Sequence, residues 1–368
     1  MQAPLFGIGL KSRSAAVTAK RLINCYLEYR PLGEKVQVVA HGFYGTTEFS
    51  DAGGQPVRGA PVTVDEVVYC VIDNDLWSIN NAGVATSIGS IGSSNGFIEM
   101  ATDGDTVLFV DGSDGYLYDI SADTLTDIRV SDADFPTAPI SCTWLRGFYL
   151  VAKANGEMYW STDGLSWGSL DFVTAEESPD SLVSIIGDHG QVVVFGELST
   201  EFWVPVGDTS APFQPITGAG QEWGCAAQGS VAKFDNSIML LIRNQGGEVS
   251  VGQLMGNSIV RVSTPDVDNI INGYTVKRDA KAAFFMMDGH PMYQLTFPTA
   301  DETWVYDGLT KHWYNRKTQG LGRHRHLFAA QLVDKTLFTD YASGKIYRLD
   351  KAAVTEANSE RIELILGS

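Results

Sequence analysis

VLFVDGSDGYLYDI, residues 107–120, reads as a β-hairpin. An apolar run enters the Asp-Gly-Ser-Asp-Gly turn and an aromatic-rich run leaves it. Glycine and short Asx side chains tolerate the positive φ that tight hairpin turns demand. Tyr and Trp after such turns pack well on a pleated surface. The same pattern stands before it in VVYCVIDNDLWSI (67–79) and after it in FYLVAKANGEMYWS (148–161), VVVFGELSTEFWV (192–204), MLLIRNQGGEVSV (239–251), AFFMMDGHPMYQL (283–295) and LFTDYASGKIYRL (337–349).

The turns of these units fall near Asn74, Gly112, Asn155, Gly196, Gly246, Gly289 and Gly344, at spacings of 38 to 55 residues. A period of roughly 40–50 residues holds four strands and four turns, which is one propeller blade. The runs are mostly apolar on both faces, as blades stacked between neighbours must be. The expected fold is all-β: a β-propeller of six or seven four-stranded blades with an N-terminal arm. A β-sandwich is the competing reading. The expected division is a docking arm over 1–35, the propeller over 36–350 and a C-terminal tail over 351–368. An early strand at 36–40 is expected to complete the final blade and close the ring, which removes exposed edges. Residues 12–21 are a candidate short helix, and 350–361 are either another or a mobile tail.

Composition fits a soluble globular chain of 368 residues, 44% hydrophobic and 19% charged. No apolar run reaches the length of a membrane span, and the N-terminus has no signal-peptide order, so the chain is expected to be made in the cytoplasm. Cys25, Cys70, Cys142 and Cys225 lie far apart without a CxxC or Cys/His spacing; four reduced, buried thiols are expected. The net charge of −18 is uneven. Residues 51–230 carry 26 acidic against 4 basic side chains, while residues 231–368 carry 16 basic against 15 acidic. The acidic middle repels nucleic-acid phosphates.

Propellers host glycosidases, so carboxylate pairs were sought. STDGLSW (161–167) resembles the Asp-box turn of sialidase propellers, one residue short, and that turn is structural rather than catalytic. No phosphate loop or nucleophile elbow is present. His324 and His326 share one face of a strand, but cationic neighbours disfavour a metal there. No catalytic, metal or cofactor residue is assigned, and the chain is expected not to be an enzyme.

Two basic clusters stand out. Lys311, His312, Arg316, Lys317, Arg323, His324, Arg325 and His326 occur without an intervening acid. Contact with an acidic neighbouring subunit, a solvated loop paired with the acidic blades, and DNA phosphate contact all fit this cluster. Lys11, Arg13, Lys20 and Arg21 precede the repeats and suit an arm that docks on another chain. Lys11, Arg13, Lys20, Arg21, Arg316, Lys317, Arg323 and Arg325 are the candidate docking residues.

FGIGLKSRS (6–14), RLINCYLE (21–28), LVSIIGDHGQVVVFGELSTEFWVPVGD (182–208), GAGQEWGCAAQGSVAKFDNSIMLL (218–241), TWVYDGLTKHWY (303–314) and GKIYRLD (344–350) resemble, in that order, segments of phage packaged-DNA stabilization proteins, the tail hub or nozzle family of short-tailed phages. The resemblance implies a structural virion subunit of the tail, made in the host bacterial cytoplasm. It implies a homo-oligomer, a hexameric ring, below a head-to-tail adaptor, retaining packaged DNA and carrying tail fibres, spikes or a needle. Double-stranded DNA would transit without sequence-specific binding. Asp103, Asp105, Asp111 and Asp114 are then candidates for an acidic wall along the DNA channel. The stretch after GKIYRLD is shorter than the family's usual continuation. The alternative is a host-surface glycan-binding or glycan-cleaving propeller.

Overall fold

The computed structural model describes residues 22–29, 38–175, 180–208 and 211–353, together with the backbone of the strands 355–356, 360–361 and 365–366. Seven antiparallel sheets follow one another as the blades of a propeller. Blade 1 spans Val62–Val64 to Ala85–Ser90, blade 2 Glu99–Thr102 to Thr124–Asp127, blade 3 Pro139–Leu145 to Phe172–Thr174, and blade 4 Leu182–Asp188 to Phe213–Pro215. Blade 5 divides its inner position. Trp223–Cys225 pairs with one half of Ser237–Asn244 and Ala232–Phe234 with the other, and the 3-10 turn Gln228–Ser230 lies between them.

Blade 6 runs from Lys281–Met287 to His312–Asn315. Leu22–Ile23 extends it in parallel beside His312–Asn315, and Ile365–Leu366 pairs with Leu22–Ile23 in turn. Blade 7 contains His326–Leu332, Lys335–Asp340 and Lys345–Asp350, and its fourth strand is Gly45–Asp51 from the start of the chain. The ring therefore closes with an N-terminal strand, but not with 36–40. Residues 38–42 instead form a hairpin with Cys25–Tyr29. The closing strand carries Thr46, Thr47 and Glu48 and has little apolar alternation, so its pairing and not its own pattern identifies it.

Seven hydrophobic clusters fill the seven interfaces between blades. Val68, Cys70, Ile72, Leu332, Leu337 and Ile346 join blade 7 to blade 1, which completes the ring. Tyr26, Leu27 and Phe43 pack with Phe285, Val305 and Phe338 over the interface of blades 6 and 7. Burying one large apolar side chain contributes about 1.5–3 kcal/mol, and each interface buries several. All four cysteines are free and buried, and burial pushes the Cys25 thiol up to about 11. These thiols are accordingly inert.

Six of the seven turns read from the sequence join the second and third strands of a blade. The exception is Gly289, which joins the first and second strands of blade 6. The equivalent turn there is Pro298 to Asp301, with Asp301 at φ 53° in place of a glycine. Residues 350–361, a helix candidate, contain the antiparallel pair Thr355–Glu356 and Glu360–Arg361 instead. The helix candidate at 12–21 lies outside the described residues.

Candidate functional site

The first strands of the blades surround a central cavity of about 820 Å³. A side chain from a connecting loop forms part of its wall. Between blades 1 and 2 the chain carries Phe97 across to blades 6 and 7: its ring lies 6.1 Å from that of Phe328, tilted by 50°, with the Lys281 ammonium 4.5 Å from its centre. A Cβ added to Gly229 of blade 5 would stand 3.5 Å from the same ring. Arg58, itself buried, fixes this loop. Its guanidinium donates to the carbonyls of Ser93, Asn95 and Gly96, to the Ser93 hydroxyl and to the carbonyl of Asp73.

Glu99 begins blade 2 on the cavity wall. Gln228 Nε2 donates to its carboxylate at 2.7 Å and also to the Ile140 carbonyl; the Ser184 hydroxyl donates from 3.4 Å. One carboxylate thus ties blades 2, 3, 4 and 5 together. Burial pushes its carboxyl up to about 7, although these hydrogen bonds pull the other way. A carboxyl whose folded pKa exceeds its unfolded value makes the protein less stable as pH rises from about 4.5 through 7. Glu99→Gln is expected to remove that loss. Its thermal denaturation should match wild type at pH 5 and show a gain of ~1–3 kcal/mol at pH 8. Equal stability differences at both pH values would show that Glu99 is already ionised at pH 5.

Half of the basic cluster near the C-terminal end of the propeller turns inward, while Lys311 is exposed. Arg316 is 1% exposed; it lies over the rings of Phe43 and Phe285 and donates to Gln294 Oε1 at 3.0 Å. Arg325 grips buried Asp340 with Nε at 3.0 Å and Nη2 at 3.3 Å. Arg323 donates to the Pro298 carbonyl, stacks on Tyr341 and stands 3.8 Å from Asp301. Lys317 is half-buried, and its backbone exchanges two hydrogen bonds with the side chain of Asn24. His324 and His326 are buried with ring centroids 4.7 Å apart. Arg316 and Arg325 therefore do not offer a docking surface, because both guanidiniums are buried against internal partners. Lys11, Arg13, Lys20 and Arg21 lie outside the described residues.

Asp103 and Asp105 occupy the turn before Thr106–Val110, and Asp111 and Asp114 the turn after it. A strand separates the two pairs, so they stand at opposite ends of blade 2 and form no single wall. None lines the central cavity. Asp103 and Asp111 accept backbone N–H groups of their own turns, and Asp114 pairs with Arg129. Asp163 plays the same part in 161–167: Oδ1 accepts from the backbone of Leu165 and Ser166, while Trp167 Nε1 donates to the Gly164 carbonyl. That turn is structural, as expected. Among the described residues no group of three or more His, Cys, Asp or Glu could hold a metal ion. No described helix is long and apolar enough to cross a membrane.

Sequence reasoning missed Phe97, Gln228 and Lys281, and Glu99 was one of many acids. Only Arg58, a lone cation in an acidic stretch, carried a signal.

A family model described as "Bacteriophage P22 Gp10, beta-propeller" matches residues 1–354. Comparison with curated proteins finds no match. Among solved structures, the chain is similar to the extracellular domain of a B. thetaiotaomicron protein described as a hybrid two component system. The TM-score is 0.57 at 10% identity, over 84% of this chain and 40% of that one. The chain thus spans about two fifths of that neighbour's length. The WD40 domain of Neurospora crassa Pan2 matches with a TM-score of 0.52 at 10% identity, over 85% of this chain and 98% of that one. At these identities the likeness is one of fold.

Proposed function

Because the chain belongs to the phage stabilisation family of the bacteriophage P22 Gp10 β-propeller, a family of phage structural proteins, we propose that it is a subunit of the tail hub of a short-tailed phage. In this reading copies of the chain form a ring, hexameric in the simplest case, below the head-to-tail adaptor. The ring closes the DNA exit channel after packaging and carries fibres, spikes or a needle. The observation that carries it is the extent of the family match, which includes the N-terminal strands that extend blade 6 and close blade 7.

Two physical features support a ring. The propeller's own cavity of about 820 Å³ is too small for a duplex, so a DNA conduit has to form between copies, not through one. The net charge of −18 suits a conduit through which duplex slides without adhering. Attachment falls to the basic segment with Lys11, Arg13, Lys20 and Arg21, which meets an acidic face of a neighbour.

Electron microscopy of purified virions tests this, with a small label inserted beside exposed Gly320. The label is expected in a ring at the tail end. Label on the capsid, or its absence from virions, would sink the reading. In the same preparation the purified chain is expected to leave host-surface polysaccharide uncleaved; turnover would favour a glycan-processing propeller.

A further inference from the structure

The central cavity presents a carboxylate without a cation and apolar side chains without cover. Glu99 lies on its wall, half-buried, and neutral donors hold it: the Gln228 amide at 2.7 Å, the Ser184 hydroxyl at 3.4 Å and the Ser141 hydroxyl. Among the described residues no ammonium or guanidinium pairs with it, and only these hydrogen bonds oppose the burial of its charge. A buried carboxylate without a counter-ion is costly. Trp144 and Met286 stand on the same wall and are 36% and 46% exposed. Exposed apolar surface inside a concavity marks the place of an apolar ligand.

The two features are spaced for one molecule. Gln228 donates both to Glu99 and to the Ile140 carbonyl, which sets the Glu99 carboxylate level with Ile140. Trp144 follows four residues along the same inner strand, about 13 Å at the rise of a strand. Met100, Ile186 and Phe284 add apolar wall. We propose that the central cavity binds an ammonium group carried on an apolar stem, with the Glu99 carboxylate as its counter-ion. The stem runs along the inner strands and its end meets Trp144 and Met286. A cavity of about 820 Å³ falls in the range that small ligands occupy. The reading does not depend on the role in the tail.

Binding should depend on pH in a defined sense. Burial pushes the free Glu99 carboxyl up to about 7. An ammonium binds the ionised form, so affinity is full above that value and is lost as pH falls past it. An alkylammonium, like the lysine side chain, keeps its charge to about pH 10. Cys142 and Cys225 face Glu99 from blades 3 and 5, and burial pushes both thiols up, so they stay neutral over this range. Lys233 and Asp334 are exposed on the cavity wall and carry opposite charges. Lys281 contacts the Phe97 ring without being part of the wall, and burial pushes its ammonium down to about 8. Its titration has to be separated from that of Glu99 by substitution.

The test is calorimetric titration of the full chain with octylamine, ethylamine and octanol at pH 8, for wild type, Glu99→Gln, Trp144→Ala and Lys281→Met. Octylamine should bind saturably, and at least about tenfold more tightly than ethylamine or octanol. Glu99→Gln should weaken octylamine about tenfold or more, with thermal denaturation showing that the variant is folded. Trp144→Ala should weaken it severalfold through the stem alone. Lys281→Met should keep the binding and its midpoint near pH 7. A short apolar peptide with one internal lysine distinguishes two sources of the same chemistry: tighter binding than octylamine assigns a lysine side chain of another chain, weaker binding a free amine. The proposal is overturned by absent octylamine binding, by octanol or ethylamine binding equally well, or by Glu99→Gln or Trp144→Ala binding octylamine like wild type. A pH midpoint that disappears in Lys281→Met also overturns it, because the titrating group is then Lys281.

Discussion

Arg325→Met is expected to lower the unfolding free energy by about 3–5 kcal/mol, among the largest effects of any single substitution in this chain. The guanidinium meets Asp340 through two nitrogens, and both side chains are almost fully buried. Asp340 also accepts from the Ser343 hydroxyl at 2.6 Å. Removing the cation strands a carboxylate where water cannot solvate it. The cost is therefore that of an unpaired buried charge, larger than the net worth of the pair. Chemical denaturation at pH 7 measures it. The double variant Arg325→Met, Asp340→Leu should recover most of the loss, since neither charge then remains. A loss below about 1 kcal/mol in the single variant would show that Asp340 is hydrated or protonated in solution.

The second large effect concerns ring closure. A chain beginning at Ala52 lacks Gly45–Asp51 and leaves Lys345–Asp350 as an open edge of blade 7. It also loses Tyr26, Leu27 and Phe43 from the interface of blades 6 and 7. This chain is expected to aggregate, because an unpaired strand edge beside exposed apolar surface recruits further strands. Size-exclusion chromatography and far-UV circular dichroism check it; a soluble monomer with native strand content would refute a closing role for Gly45–Asp51. Ile346→Ala gives a graded version. Ile346 is 1% exposed and packs in the layer joining blade 7 to blade 1. Its truncation should cost about 2–5 kcal/mol while the ring still forms.

The repeat was legible because its signals are local. An apolar run, a Gly or Asx turn and an aromatic run lie within one hairpin, and six of the seven turns so read occupy one structural position. Gly289 misled because blade 6 makes the equivalent turn at Asp301 without glycine, while its first hairpin has one. The closing strand was misplaced for a related reason. Residues 36–40 look like a strand, and 38–40 belong to one, but Val38–Gly42 pairs locally with Cys25–Tyr29.

Arg316 and Arg325 failed as surface cations for a different reason. Sequence shows a run of like charges; it does not show that Gln294 and Asp340 wait for Arg316 and Arg325. The acidic candidates do not form one cluster, because Asp103 and Asp111, eight positions apart, are carried by one strand to opposite ends of a blade. Phe97 and Lys281 gave no signal at all. Their meeting needs a loop after blade 1 to cross the ring onto blades 6 and 7.

By itself the sequence determined that this chain is a blade-repeat β protein with an acidic middle and inert cysteines, because hairpin patterning, turn chemistry and charge are properties of short stretches. Only the tertiary structure decided the rest. Which strand closes the ring and which cations are internal both depend on contacts between residues up to about 300 positions apart. Such contacts exist only once the seven blades have closed on one another.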